Sequence, residues 1–263
     1  MKQVSFLLML LIAGCASQPI TSEKSSIPPI AMQSSTKKHL MNAIFSNFNE
    51  KNDYSDWICK DSSFLRHFNV QSDSTLIRSK LLLIDSVLNS NGKYLLVIID
   101  AKPASIDFPC SPTQLGYIFK AQENKWLFEK RQLISQLGNW GNSPEITVKK
   151  IGANHNAYFI ESGITNQGFT EVSLLCFSFL NGTFTCLLNL PDAYTDNFGN
   201  CDSVEKKDCY ETNFSYQLLP AGKEYYDLSV RKYGNHFDTE NLNQNFDSTL
   251  IFKFNCSSFK RVN

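Results

Sequence analysis

The sequence predicts a mainly β protein: an antiparallel meander, sandwich or curled sheet with one N-terminal helix. Aromatic residues are abundant, with 20 Phe and 10 Tyr, while charged residues make up only 19% of the chain. Short apolar runs punctuated by Gly and Asn recur at spacings of roughly ten to fifteen residues, as short strands joined by turns do. No exact internal repeat sets a blade count, so a sandwich, a curled sheet and an incomplete propeller-like array all stay open.

The N-terminus has the pattern of a cleaved export signal. Lys2 precedes an apolar run over residues 4–12, and the small residues Ala13 and Gly14 lead to Cys15. This order of a cation, an apolar core and small residues is typical of signal peptides. The run is too short to span a bilayer, which takes about 20 apolar residues.

Residues 11–15, Leu-Ile-Ala-Gly-Cys, resemble the lipobox of bacterial lipoprotein signal peptides. The resemblance implies cleavage before Cys15 and acylation of that cysteine, which would anchor the chain to a membrane almost permanently. Because Ala16 stands where such lipoproteins carry an aspartate for inner-membrane retention, it also implies an outer-membrane location, facing the periplasm or the cell surface. The alternative is an ordinary secretory signal with an incidental cysteine.

Three segments follow from this pattern: a signal peptide (1–14), a disordered tether rich in Ser, Pro, Thr and Gln (15–36), and a single β-rich periplasmic domain (37–263). No linker composition divides the last segment, which is long enough to bury a sizeable core. The 25 basic and 25 acidic residues balance. Without a basic surplus, the composition excludes nucleic acid as the expected partner.

The first elements of the domain are a helix and a hairpin. Helical spacing of Leu40, Met41, Ile44, Phe45 and Phe48 predicts a helix with Thr36 as a candidate N-cap. Residues 50–72 are expected to form a loop and a helical turn. Residues 74–89 fit either a helix face or a buried strand. The strand is preferred because a turn at residues 91–92 leads to the apolar run 94–99, which is expected at the centre of a sheet covered on both faces.

Later strands are separated by polar turns, and the alternation over residues 225–233 favours an edge or surface strand. They are predicted at residues 117–119, 126–128, 146–151, 157–161, 171–180, 183–190, 214–219, 225–233 and 249–254.

Seven cysteines remain beside Cys15, and in an oxidising compartment most are expected to pair. Cys201 and Cys209 flank a short polar loop and form the first candidate pair. Cys176 and Cys186 flank an Asn-Gly turn; a three-residue loop would place them opposite each other, whereas a two-residue loop would not. The third candidate pair is Cys59 with Cys110. Cys256 is then left over and is expected to be a buried thiol.

No motif of a known catalytic class is present: no nucleophile elbow, no phosphate-binding loop and no metal-type histidine spacing. Oxygen-bearing side chains cluster at Asp192, Asp196, Asn197, Asn200 and Asp202, so calcium is a possible ligand. The alternative is a polar turn, which favours Asp and Asn on backbone grounds.

Trp126, and Trp140 framed by two glycines, are candidates for an aromatic binding surface, with core packing as the alternative. The sequence therefore predicts an outer-membrane lipoprotein that is more readily a non-catalytic protein-recognition module, such as an envelope accessory, an inhibitor or an immunity-type protein, than an enzyme. The alternatives are a cell-wall or glycan hydrolase with carboxylates on distant strands, and a glycan or peptidoglycan binder.

Overall fold

A computed structural model describes residues 31–32, 34–68, 70, 72–104, 111–138, 142–201, 209–220, 224–236 and 244–262. Among these residues the protein is mainly β: 68% of them lie in strands, which form two antiparallel sheets, and two α-helices are present. The predicted fold class is confirmed. The signal peptide, Cys15 and residues 16–30 lie outside the described residues. The end of the predicted disordered tether is ordered, since Ala31–Met32 form a strand.

Seven strands form the first sheet, and all of its neighbouring pairs are antiparallel. They are β1 (Ala31–Met32), β2 (Phe48–Asn49), β3 (Tyr54–Cys59), β4 (Thr75–Asn89), β5 (Gly92–Pro103), β6 (Thr113–Gln122) and β7 (Lys125–Gln136). Their spatial order is β1-β7-β6-β5-β4-β3-β2. Consecutive strands are therefore neighbours from β2 to β7, and β1 joins at the far edge.

Eight strands form the second sheet, in the order β15-β14-β13-β12-β11-β10-β9-β8. They are β8 (Glu145–Lys150), β9 (Asn156–Asn166), β10 (Phe169–Leu180), β11 (Thr183–Asp196), β12 (Glu211–Leu219), β13 (Asp227–His236), β14 (Gln244–Phe254) and β15 (Phe259–Arg261). This sheet is an uninterrupted antiparallel meander. A 3₁₀ turn, Phe198–Asn200, follows β11.

The helices are α1 (Lys37–Phe45) and α2 (Ser62–Arg66). Thr36 is the N-cap residue of α1, as predicted, but its hydroxyl contacts the Nδ1 atom of His39 at 2.6 Å and does not cap the helix. Helix α2 is the helical turn predicted within residues 50–72. Its start is set by Asp61, whose carboxylate accepts two backbone N–H bonds of the first turn, an arrangement that stabilises helix ends.

Strand β5 organises the first sheet because both of its faces are buried. Its residues 94–99 are at most 4% exposed. Leu95, Val97 and Ile99 belong to an outer cluster, in which the helices cover the sheet with residues that include Leu40 and Met41 of α1. Alternate residues of a strand point to opposite faces, so the remaining three point to the second sheet. The apolar run is thus covered on both faces, as predicted.

The two sheets pack face to face through an inter-sheet cluster. Tyr94, Leu96 and Ile98 of β5 meet aromatic residues of the second sheet, including Tyr158 and Phe177. Gly116 on β6 permits the close approach at one point, because a Cβ there would lie 2.3 Å from a ring carbon of Phe184. The sandwich alternative for the fold is therefore realised between the sheets.

The second sheet also curls on itself. Strands β11 and β12 pair only at Thr195 with Thr212 and at Asp196 with Glu211. Beyond this corner the later strands return across the face of the earlier ones and bury an enclosed cluster between them. Its buried members are Ile151, Ala157, Phe159, Leu174, Cys176, Leu187, Leu188, Ala193, Leu228, Val230, Phe252 and Phe259.

The structure decides one local prediction that the sequence left open and corrects three others. Residues 75–89 form a strand, which decides the ambiguity left by the sequence in favour of β. Strand β3 lies where a loop was expected. Strand β13 is not an edge, since it pairs with β12 and β14, and its Leu228 and Val230 are fully buried. The first hairpin turns at residues 90–91, with Gly92 already in β5.

Candidate functional site

The two long sides of the sandwich differ in whether the edge strands of the two sheets are joined by hydrogen bonds. On one side β7 and β11 are joined by the side chain of Gln132, whose Nε2 donates to the carbonyl of Phe184 at 2.6 Å while its Oε1 accepts from the Phe184 N–H at 2.9 Å. The side-chain amide of Gln132 thereby forms the two hydrogen bonds that a neighbouring strand would form with Phe184. On the other side β4 and β8 lie near each other, and this side is the candidate site.

Strand β4 is paired on both edges only at its start. Strand β3 pairs with residues 75–79 of β4, whereas β5 follows it to Asn89. In the part of the chain that the structure describes, no strand pairs with residues 80–89 on the side away from β5. We call residues 80–89 on that side the open edge. Unpaired backbone of this kind is a template for another strand.

The backbone groups that point out of the open edge can be assigned. Asn89 and Gly92 face each other across a two-residue turn, which makes them a hydrogen-bonded pair. Since such pairs alternate along an antiparallel ladder, the N–H and C=O groups of Ile84, Ser86 and Leu88 point away from β5. The Ser86 N–H accordingly donates to Asp85 Oδ1, at 2.7 Å, and not to β5.

Side chains along the open edge are mainly apolar. Leu81 and Ile84 pack on the outer cluster, as does Ile44 of α1, whereas Leu88 is 72% exposed. Asp85 is held from the second sheet, where Tyr158 Oη and Asn156 Nδ2 donate to its Oδ2 at 2.8 and 3.0 Å. The edge is therefore positioned firmly by both layers while its backbone and Leu88 stay accessible.

Strand β8 offers a contrasting edge. It is short, and three of its six residues are charged: Glu145, Lys149 and Lys150. Short, charged edges are the usual protection of natural sheets against unwanted strand pairing. The open edge of β4 lacks this protection over residues 81–84, which read Leu-Leu-Leu-Ile. Of the two neighbouring edges, β4 is the one suited to accept a strand.

Carboxylates face each other close to these edges. Glu145 and Glu161 are directly opposite on β8 and β9, and both are exposed. They line a depression of about 240 Å³ together with Ser143, Ser162 and Gly163. Like charges directly opposite each other destabilise a sheet, so this pair is an unusual feature of the surface.

A buried polar network that no sequence motif predicted adjoins this depression. Asp100, 4% exposed, accepts from Gln114 Nε2 at 2.9 Å and from Ser143 Oγ at 2.6 Å. Gln114 also binds the N–H and C=O of Leu137, at 2.9 and 2.8 Å. Desolvation raises the pKa of Asp100, although the two hydrogen bonds, Lys102 and Lys80 oppose that shift. The network fixes the chain where it crosses between the sheets.

Of the two aromatic candidates, Trp126 lies among the described residues. Trp126 is half-buried and packs on the outer cluster, where Met32 of β1 is its cross-strand partner. Lys93 approaches its ring to 5.6 Å. Trp140 lies outside the described residues. The contacts of Trp126 are therefore those expected if this side chain packs on the core.

The acidic candidates are spread over a turn. Asp196 is 6% exposed, and its carboxylate accepts from Tyr194 Oη at 2.7 Å and from the Phe198 N–H at 2.9 Å. These bonds attach the 3₁₀ turn to the end of β11. Asn197 acts similarly, since its Oδ1 accepts from the Tyr210 N–H at 2.8 Å. Both side chains stabilise the corner where the second sheet curls.

Asp192 makes different contacts from Asp196. Its backbone is left-handed, with φ of 51°, and its carbonyl accepts from Lys232 Nζ at 2.6 Å. The side chain of Asn200 and all of Asp202 lie outside the described residues. Within the described ranges, no three His, Cys, Asp or Glu side chains are grouped closely enough to hold a metal ion. The calcium site stays a prediction.

One of the three cysteine pairs is confirmed: Cys201 and Cys209 form a disulfide, with Cα atoms 5.7 Å apart. The Cys176 and Cys186 pairing is wrong. A two-residue turn and a bulge place Cys176 opposite Leu188 and Cys186 opposite Phe177, so the two thiols point to opposite faces.

Cys59 is a free, buried thiol, and its predicted partner Cys110 lies outside the described residues. Cys256 is exposed in the turn after β14, with φ of 68°, which corrects the expectation of a buried thiol.

Among the described residues, neither helix has the length or the apolar character to cross a membrane. Comparison of the chain with protein-family models, with curated proteins and with solved structures gave no match.

Proposed function

We propose that this chain is an outer-membrane lipoprotein that recognises a protein partner without catalysis, and that the partner adds an extended segment to the open edge of β4. Strand addition obtains affinity from main-chain hydrogen bonds and specificity from the alternate side chains beside them. The lipid on Cys15 and the segment of residues 15–30, which precedes β1, would hold this edge at a distance from the membrane surface.

The single observation that carries the proposal is the unpaired backbone at Ile84 and Leu88. Ile84, Ser86 and Leu88 occupy alternate positions on one strand, so an incoming segment can form a continuous ladder with them. Leu88, 72% exposed, lies where a side chain of that segment would cover it. Ile84 and α1 supply an apolar surface on the same face of the sheet.

Proline at an outward-facing edge position tests the proposal. Leu88→Pro removes an outward N–H and blocks the ladder, while the bonds of β4 to β5 stay intact. Val148→Pro is the matched control. The Ile151 N–H donates to His155, so the N–H of Val148 points out of β8, and its side chain is 40% exposed.

The measurement is recovery of envelope proteins by the immobilised full chain. We expect the wild type and Val148→Pro to recover the same protein from an envelope extract, and Leu88→Pro to lose it at least tenfold. Equal recovery by all three forms would rule out the open edge as the recognition site.

Glu145 and Glu161 favour a second candidate, hydrolysis of a glycan. Paired carboxylates on neighbouring strands are the chemistry of glycoside cleavage, and the depression beside them is polar. Muropeptides incubated with the chain would be cleaved, and Glu161→Gln would abolish that cleavage. If the wild type cleaves no muropeptide and recovers a protein partner, the result would favour protein recognition over glycan hydrolysis.

A further inference from the structure

We infer that the open edge of β4 also pairs with the same edge of a second copy of this chain, in a symmetric antiparallel dimer with Ser86 on the two-fold axis. The inference shares the open edge with the proposed function but goes beyond it, because the occupant is the chain itself. An isologous contact of this kind closes after two copies.

Hydrogen bonding limits how two open edges can meet. Outward-facing groups must oppose outward-facing groups, and these belong to Ile84, Ser86 and Leu88. With Ser86 on the axis, Ile84 of each copy forms a hydrogen-bonded pair with Leu88 of the other. At the centre, each Ser86 N–H exchanges its local bond to Asp85 for a bond to the second copy. All three outward-facing positions are then used.

Charge excludes one neighbouring register. If Asp85 were on the axis, two carboxylates would lie directly opposite each other, which destabilises a strand pair. With Ser86 on the axis, Asp85 instead faces Val87 of the second copy. The carboxylate can keep its bonds to Tyr158 and Asn156.

Strand β3 excludes the next register towards the start of β4. Ser79 is already paired with Ser55, so an incoming strand must stop short of it. If Ile84 were on the axis, Asn89 of one copy would lie opposite Ser79 of the other and collide with β3. The register centred on Ser86 uses residues 83–89 and leaves β3 free in both copies.

The chosen register also covers the most exposed apolar side chain of the edge. Leu88 would pack on Ile84 of the second copy, on the face of the sheet that carries the outer cluster. The contact is short, and interfaces of low area are weak. Dissociation in the range of roughly 10 to 100 µM is therefore expected for the purified chain.

Disulfide trapping at the axis tests the register. In the full chain carrying Cys256→Ser, Ser86→Cys places two thiols opposite each other, about 5.5 Å apart at Cα, within the span of a disulfide. Thr147→Cys, on the exposed face of β8, is the control. Mild oxidation is expected to convert most of the Ser86→Cys chain to a dimer on non-reducing gels. No more dimer than the control gives would overturn the inference.

Light scattering in detergent provides a second measurement that needs no cysteine. The wild type at 200 µM is expected to be largely dimeric, and Leu88→Pro monomeric. A monomeric wild type, or a Leu88→Pro dimer, would overturn the inference. The proposed function is tested separately. If the chain is monomeric but still recovers an envelope protein, the dimer is ruled out and the proposed function stands. If the chain is dimeric but recovers no protein, the dimer stands and the proposed function is ruled out.

Discussion

Asp100 shows how a single buried carboxylate holds two sheets in place. It is fixed by Gln114 from its own sheet and by Ser143 from the segment that leads into the second sheet. A buried charge is tolerated only when hydrogen bonds satisfy it. Here the two neutral donors act together with the neighbouring Lys80 and Lys102, yet desolvation still raises the pKa of Asp100.

This raised pKa predicts a pH-dependent stability. As pH rises above about 4, Asp100 ionises first in the unfolded chain, because its pKa there is lower. The unfolded state then binds fewer protons than the folded state, so stability falls until the folded pKa is passed. The loss is about 1.4 kcal/mol for every unit by which folding raises the pKa.

Asp100→Asn should remove this loss, since an amide can keep partners at both positions. Thermal unfolding from pH 4 to pH 7 should show the variant gaining on the wild type as pH rises. Asp73→Asn, at an exposed position, is the control and should follow the wild type. A constant difference between Asp100→Asn and the wild type across this range would contradict the prediction.

At the scale of elements, the sandwich is closed on one side and open on the other. A side chain closes the first side, where Gln132 occupies the backbone groups of Phe184. On the second side, charge protects β8, while the backbone groups of Ile84, Ser86 and Leu88 face away from β5 and no described strand pairs with them. The difference matters because every unpaired strand edge attracts another strand unless something prevents it.

Gln132→Ala should lower stability by about 1–3 kcal/mol, because it leaves a partly buried N–H and C=O of Phe184 without partners. Urea unfolding would measure the change. Gln136→Ala is the control, since that amide makes an exposed bond to the His67 carbonyl, and its effect should stay within about 0.5 kcal/mol. Equal effects of the two substitutions would contradict the role of Gln132.

At the scale of the whole molecule, three clusters divide the interior. The helices cover the first sheet on the outer cluster, the inter-sheet cluster joins the sheets, and the curl of the second sheet creates the enclosed cluster. The described chain enters this body at β1, which pairs with β7 on the side opposite the open edge. A tether attached there would leave the open edge unobstructed.

The proposed lipid anchor predicts a change of compartment for one substitution. Cys15→Ser should prevent acylation, and the chain should move from the membrane fraction to the soluble envelope fraction, because no acyl chains would hold it. Fractionation with a labelled fatty acid measures both effects. Ser17→Ala, at a neighbouring residue outside the lipobox, is the control. Unchanged membrane association with no loss of label would contradict the anchor.

The sequence by itself determined the strand content, the central position of residues 94–99, the helix at Leu40 and Met41, and the disulfide of Cys201 with Cys209. These features depend on local periodicity and on short loops, which neighbouring residues encode. Only the tertiary structure decided which strand edges are paired, where the second sheet curls, and that Cys176 and Cys186 face apart. Each of these depends on register and on contacts between residues distant in the chain, where a shift of one position reverses every side chain.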